Sequence, residues 1–177
     1  MDTAHSVISG GNLNVINTLS QYSFISGGLS NSIASSYSAI NGGQDHTISR
    51  AHSAISGGRS NTVDSGFSVI CGGDQNIINN SSGYSFVGGG VSNNIASSTS
   101  HSVIIGGRNN TTSTGYQILG GHSAKTSPVQ ANAAGTVLFA IGGPSGSGNI
   151  LTVINDGSTI KLFVGNNLLG SGSGLLA

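Results

Sequence analysis

Apolar and polar positions recur along the chain with a period of 15 to 17 residues between His5 and Gly121. Each copy begins with an aromatic residue or histidine, and the segment Tyr22 to Ile33 shows the full unit. Serine usually follows, and after it comes a variable apolar residue. The next position is isoleucine or valine, and one residue further on stands a glycine pair. The eight copies begin at His5, Tyr22, Tyr37, His52, Phe67, Tyr84, His101 and Tyr116. A fixed period this short is typical of a solenoid, in which each copy forms one coil.

The local pattern predicts strands and turns, because short runs rich in Val, Ile, Phe and Tyr end at Gly-Gly and at Asn/Ser clusters. No stretch has the apolar period of a helix. One copy supplies two short strands and two turns, with Gly and Asn expected at the positive-φ corners. Coils stacked about 4.8 Å apart would give eight coils a length of about 38 Å. The copies of 17 residues place their two extra residues in the second turn, where a loop can bulge outward.

Both sides of the first strand carry apolar residues. Tyr22 and Phe24 share one side, and Ser23 and Ile25 share the other, because side chains alternate along a strand. A thin roll has room inside for only one of these sides, so we expect other copies of the chain to cover the second. The pattern leaves open which side lines the roll. The positions assigned to stacking or to the interface between chains are Ile8, Ile25, Ile40, Ile55, Ile70, Val87, Ile104, Tyr22, Tyr37, Phe67 and Tyr84.

Asparagine recurs three residues after the glycine pair, and in the third copy His46 takes its place. A repeated amide at one site predicts a ladder of side-chain hydrogen bonds along the stack. The members of this predicted ladder are Asn14, Asn31, Asn61, Asn76, Asn93 and Asn110.

The repeat pattern ends near residue 121, where the eighth copy lacks the asparagine and the second isoleucine and is interpreted as a terminal cap. We therefore divide the chain into β-roll repeats over 1–121, a junction over 122–135 that contains Pro128, and a small C-terminal β-hairpin connector or cap over 136–177. Asp156 and Gly157 lie between two strand-like runs and predict the hairpin turn.

Composition narrows the function classes. Only 6% of the 177 residues are charged, Glu is absent and the net charge is zero, so a basic nucleic-acid-binding stripe is excluded. No apolar run reaches membrane-spanning length, so no membrane insertion is expected, and the N-terminus does not resemble a signal peptide. Cys71 has no partner for an internal disulfide and is interpreted as a small space-filling residue.

No set of residues predicts catalysis, a cofactor or a metal site, and we expect a protein that is not an enzyme. Asp64 and Asp74 occupy different repeat positions and are interpreted as solvated turn residues, although acids from different chains could meet in a trimer. His5, His52 and His101 stand where other copies have Tyr or Phe, so we interpret them as flat rings that replace other flat rings. Symmetry-related copies of one such histidine near an axis could instead bind an ion.

The unit Tyr-Ser-Phe-Ile-Ser-Gly-Gly-x-x-Asn-x-Ile resembles the YadA-like head repeats of trimeric autotransporter adhesins, and still more the related repeats in fibres of phages and large DNA viruses. The resemblance covers residues 5 to 121 and implies a left-handed parallel β-roll, three chains around one axis and a role in attachment. The fold expected is thus an all-β homotrimeric solenoid of about eight coils with a small C-terminal β element.

The function expected from this resemblance is a structural and receptor-binding fibre or spike on the virion surface. Its partners would be a host-surface receptor, either glycan or protein, and another virion, tail or anchor protein. The alternatives are the head of a bacterial trimeric adhesin on the outer cell surface and, less favoured, a polysaccharide-degrading tailspike. Recognition is expected in the variable turns after the asparagine, because the faithfully repeated positions are those that stacking requires.

Overall fold

A computed structural model describes residues 5–113, 115–123, 136–142, 149–155, 160–164 and 167–172 of the chain. These residues form an all-β structure without helices, whose main part is a parallel β-solenoid of about seven turns. No helix in the described ranges could cross a membrane. The parallel β-solenoid predicted from the repeat is confirmed.

Most strands are only two residues long, because a turn interrupts every short apolar run. The strands are β1 Val7–Ile8, β2 Val15–Ile16, β3 Phe24–Ile25, β4 Ser32–Ile33, β5 Ala39–Ile40, β6 Thr47–Ile48, β7 Ala54–Ile55, β8 Thr62–Val63, β9 Val69–Ile70, β10 Ile77–Ile78, β11 Phe86–Val87, β12 Asn94–Ile95, β13 Val103–Ile104, β14 Ile118–Gly121, β15 Thr136–Gly142, β16 Asn149–Asn155, β17 Ile160–Val164 and β18 Asn167–Gly172.

Each coil contributes one strand to each of two parallel ladders. The first ladder, here called the first sheet, runs β1-β3-β5-β7-β9-β11-β13-β14, and the second sheet runs β2-β4-β6-β8-β10-β12. A third ladder of one-residue bridges follows the first turn from Asn12 to His122. Val7 pairs with Phe24 across a 17-residue coil just as Phe24 pairs with Ala39 across a 15-residue coil. The extra residues therefore lie in the second turn, as predicted, and do not disturb the register.

The core is a double column of aliphatic side chains, one from each sheet. Ile25, Ile40, Ile55, Ile70, Val87 and Ile104 of the first sheet are fully buried together with Ile33, Ile48, Val63, Ile78 and Ile95 of the second. Ile8 is 42% exposed because it lies in the first described coil and has no coil packed on its other side. The serine and isoleucine side of the first strand therefore lines the solenoid, which answers the question that the sequence left open.

The inward serines form a second polar element of the interior. The backbone N–H of Ser38 donates to Oγ of Ser23 at 3.3 Å, and the N–H of Ser53 donates to Oγ of Ser38 at 3.4 Å. The same contact recurs from Ser68 to Ser102. The serine hydroxyl at this position thus accepts a backbone N–H of the next coil that the two-residue strands leave unpaired.

The corners differ from the expectation that glycine and asparagine would supply them. The second glycine of each pair does adopt positive φ, as at Gly28 with φ 97°. The other two corners of a coil are formed by the aromatic residue, as at Tyr22 with φ 54°, and by the residue before the inward asparagine, as at Ser30 with φ 55°. The prediction was therefore wrong for the repeated asparagines, which follow the corner and point inward instead.

The eighth copy does not end the first sheet, contrary to its interpretation as a terminal cap. Strand β14 pairs in parallel with both β13 and β15, and β15 to β18 follow as antiparallel neighbours. Strands β16 and β17 are the pair expected for the hairpin, whereas its turn at 156–159 and the junction at 124–135 lie outside the described residues.

Candidate functional site

A continuous stack of eight rings follows the corner between the second turn and the first sheet. Neighbouring ring centroids are 4.6 to 5.1 Å apart and the ring planes differ by 4° to 13°. The rings, here called the aromatic ladder, are His5, Tyr22, Tyr37, His52, Phe67, Tyr84, His101 and Tyr116. The three histidines stack as flat rings among the others, as their repeat position predicted.

Stacking explains why bulky residues occupy an unfavourable backbone conformation. All eight residues have positive φ, between 54° and 75°, which costs an L-residue roughly 1–2 kcal/mol. Each stacked pair of rings contributes roughly 0.5–1.5 kcal/mol beyond the area that it buries. Because the ring faces cover one another, the ladder presents ring edges and tyrosine hydroxyls to solvent. Such a ridge offers little ring face on which a sugar could stack, and it suits packing against another protein surface.

The outward side of the first sheet continues this apolar surface. Beside the ladder runs a column made of Val7, Phe24, Ala39, Ala54, Val69, Phe86, Val103 and Ile118. Phe24 is 38% exposed and Ile118 is 43% exposed, although both belong to regular strands. A third outward column passes through exposed Cys71 and Ile105 and contains no Asp, Glu, Lys or Arg. We call these three columns together the aromatic face.

The structure separates the residues grouped in the sequence prediction. Tyr22, Tyr37, Phe67 and Tyr84 lie on the aromatic face and are 49% to 59% exposed. Of the aliphatic residues in that set, Ile8 is exposed in the first described coil, whereas the others lie behind the aromatic face in the core and cannot contact a partner chain directly. The prediction omitted His5, His52, His101 and Tyr116 from the set, although their shared repeat position was the signal that places them in the ladder.

The repeated asparagines form a ladder, but their main partners are backbone groups. Nδ2 of Asn61 donates to the carbonyl of Gly57 in its own coil at 3.1 Å and to that of Gly73 in the next coil at 3.0 Å. Its Oδ1 accepts the backbone N–H of Asn76 at 2.9 Å. The same pattern holds for Asn14, Asn31, Asn76, Asn93 and Asn110 at the carbonyl contacts. Each amide therefore ties two turns of the solenoid together.

His46 fills the asparagine position incompletely. Its Nδ1 accepts the backbone N–H of Asn61 at 3.1 Å, and its own N–H donates to Oδ1 of Asn31 at 3.1 Å. The buried Nε2 has no hydrogen-bond partner, so the local ladder loses the pair of carbonyl contacts. Burial lowers the pKa of His46, against opposing effects of the backbone at Gly58 and Asn61 and of the Asp45 carboxylate, and so favours the neutral ring.

The predicted acids are engaged with arginines at the turns. Arg59 binds Asp74 through two bonds, Nε to Oδ1 at 3.1 Å and Nη2 to Oδ2 at 2.7 Å. This contact lowers the pKa of the Asp74 carboxyl and raises that of Arg59. Asp64 lies 3.8 Å from Nε of Arg50. Across the described ranges no group of three or more His, Cys, Asp or Glu is arranged to hold a metal ion.

The site is a long, solvent-exposed apolar surface on the stacked coils, without Asp, Glu, Lys or Arg. It gathers ring edges, aliphatic side chains and small hydroxyl groups. Comparisons with family models, with curated proteins and with solved structures find no match to this chain.

Proposed function

We propose that this chain is a structural and receptor-binding part of a virion fibre or spike, which assembles as a homotrimer and attaches the virion to its host. The observation that carries the proposal is the aromatic face, which runs along the solenoid without Asp, Glu, Lys or Arg. Sheets with apolar residues on both sides are normally covered on both, and exposed apolar patches of this extent mark interaction surfaces.

The dimensions of the aromatic face support an interface between chains. The eight strands of the first sheet give a length of about 38 Å, and five residues across give a width of about 16 Å. The resulting area of roughly 600 Å² approaches the 800 Å² or so that each partner contributes to a standard interface. In the proposal the coil is left-handed, the three aromatic faces meet around the axis, and the strands after Thr136 form a small connector or cap.

The assembly is tested by sedimentation velocity at micromolar concentration, where a trimer is expected. Phe86→Asp should give a monomer with unchanged far-ultraviolet circular dichroism, because it places a charge in the aromatic face. Thr47→Asp makes a matched change on the outer side of the second sheet and should leave the trimer intact. A monomeric wild-type protein would overturn the assembly.

Exposed Cys71 supplies a second measurement on the same face. Its thiol should react slowly with an aromatic disulfide reagent in the wild-type assembly and rapidly in Phe86→Asp. Equal rates in both proteins would show that the aromatic face is not the interface.

The attachment role is tested with antibodies raised against the chain. They should label virus particles in density-gradient fractions of the source material and block adsorption of those particles to host cells. Label confined to bacterial surfaces would overturn the virion assignment in favour of an adhesin head.

A further inference from the structure

A groove lies on the outer side of the second sheet, along its border with the first turn. It has a volume of about 440 Å³, within the range of ligand sites. We call it the amide groove; it is lined by Ser60, Gln75, Ile77, Ser92, Asn93 and Asn94. These residues come from three successive coils, so the groove follows the solenoid axis. It lies on the second sheet, and a partner on the aromatic face would leave it open.

Two of the lining residues carry amides at outward positions whose residue type the stacking contacts do not fix. Gln75 occupies the positive-φ corner that serine fills in the neighbouring coils at Ser60 and Ser92. Asn94 occupies the outward strand position that threonine fills at Thr47 and Thr62. Both positions also vary elsewhere, the corner for instance at Leu13 and Asp45, so the feature that distinguishes this groove is that two amides lie close together on adjacent coils.

Neighbouring side chains orient both amides. Nδ2 of Asn79 donates to Oδ1 of Asn94 at 2.6 Å, which leaves Nδ2 of Asn94 without a partner among the described residues. Oγ of Ser92 donates to Oε1 of Gln75 at 3.4 Å, which likewise leaves Nε2 of Gln75 available. The groove therefore presents the amide N–H groups of Asn94 and Gln75 beside hydroxyl groups.

The remaining features define the chemistry of the ligand. No charged side chain lines the groove, and the nearby charges of Arg59 and Asp74 neutralise each other. Ile77 adds an apolar patch that is 37% exposed. Neutral amides and hydroxyls pair with sugar hydroxyls, and an aliphatic side chain packs against the C–H face of a sugar ring. An acidic glycan would find no cation here.

We propose that the amide groove binds a linear, neutral oligosaccharide that lies parallel to the solenoid axis across three coils. The proposal rests on the proposed function, since it names the chemical class of the host receptor. In this proposal recognition takes place beside the second sheet, whereas the sequence pattern predicts it in the variable turns after the asparagine.

The full-length assembled protein can be tested on an array of linear neutral oligosaccharides of three to five hexose or N-acetylhexosamine units, with sialylated chains beside them. Wild type should retain neutral chains in preference to sialylated ones. The double variant Gln75→Ser, Asn94→Thr should lose about tenfold or more in affinity, as expected for two lost hydrogen bonds. Both replacements are residues that other coils carry at the same positions, so the fold should be retained.

Asn109→Ser is the matched control, because Asn109 occupies the same kind of corner as Gln75 outside the groove. It should bind as wild type does. The proposal for the groove would be wrong if the double variant bound as well as wild type. It would also be wrong if the protein retained only sialylated chains or retained no neutral chains. If the double variant adheres to host cells as well as wild type does, the groove is not the receptor site, and the attachment role stands. If wild type binds neutral chains on the array but never host cells, the attachment role is wrong, and binding of neutral oligosaccharides in the groove stands.

Discussion

Replacing His46 with asparagine should stabilise the solenoid, although it removes a larger buried side chain. In the neighbouring coils the asparagine at this position donates to two glycine carbonyls and accepts one backbone N–H. His46 keeps only the acceptor contact and leaves Nε2 buried without a partner. The substitution His46→Asn would restore the missing donor contacts to the carbonyls of Gly42 and Gly58.

The expected gain is about 2 kcal/mol in the free energy of unfolding. Two restored hydrogen bonds contribute about 1 kcal/mol each, and removal of an unpaired buried nitrogen contributes about as much again. The space left by the smaller side chain subtracts part of this sum, by roughly 1 kcal/mol.

The gain should grow as the pH falls. Burial lowers the folded-state pKa of His46 below the value of about 6.5 in an unfolded chain, so the unfolded state binds the proton first. The contribution of neutral His46 to stability is therefore present above about pH 6.5 and is lost as the pH falls from there through the folded-state pKa. Asparagine does not titrate, so the variant should lose this part of the acid sensitivity.

Urea denaturation at fixed protein concentration, followed by circular dichroism between pH 8 and pH 5, measures both effects. Asn93→His provides the converse control and should lower stability and steepen its decline in acid. If His46→Asn were no more stable than wild type at pH 8, or kept the same acid dependence, the account of the asparagine ladder would be wrong.

Three further substitutions test the stacking contacts. Gly28→Ala should abolish folding or cost more than about 3 kcal/mol, since a Cβ would collide with the carbonyl of Gly43 at φ 97°, whereas Gly27→Ala meets only ordinary contact and should be tolerated in thermal melts. Asn76→Ala should cost about 3 kcal/mol, because it leaves two glycine carbonyls and the N–H of Asn93 without their partner. Ile55→Ala should cost about 2–5 kcal/mol through the cavity left in the core, and a cost below about 1 kcal/mol in urea titrations would contradict the tight packing of that column.

The repeat pattern predicted the solenoid because coil stacking leaves a periodic trace in the sequence. Alternation along Tyr22 to Ile25 correctly separated two strand sides, and the extra residues of the long copies fell in the second turn as expected. The choice of inner side could not be made from alternation alone, since both sides are apolar. It follows from a contact between coils, in which a serine hydroxyl accepts the next backbone N–H.

The corners escaped prediction for a physical reason. Rules for single residues assign positive φ to glycine and asparagine, whereas here the ring stack stabilises that conformation at Tyr22 and its equivalents. The amide groove was not predicted, because the repeat pattern is defined by the positions that coils share and the groove is lined by positions where coils differ. Gln75 and Asn94 were visible as departures, but only the folded chain brings them side by side.

The hydrogen bonds between coils also set how the molecule would respond to a pulling force. They run along the solenoid axis, and each coil both donates to and accepts from its neighbours, so an axial load stretches them end to end and would detach one coil at a time. A released coil of 15 residues can extend to about 50 Å in place of a rise of about 4.8 Å. Single-molecule pulling should therefore show a series of small extensions, slightly longer for the coils of 17 residues than for those of 15. Anchored at one end and loaded at the other, such a chain would lengthen stepwise under tension and so act as a shock absorber.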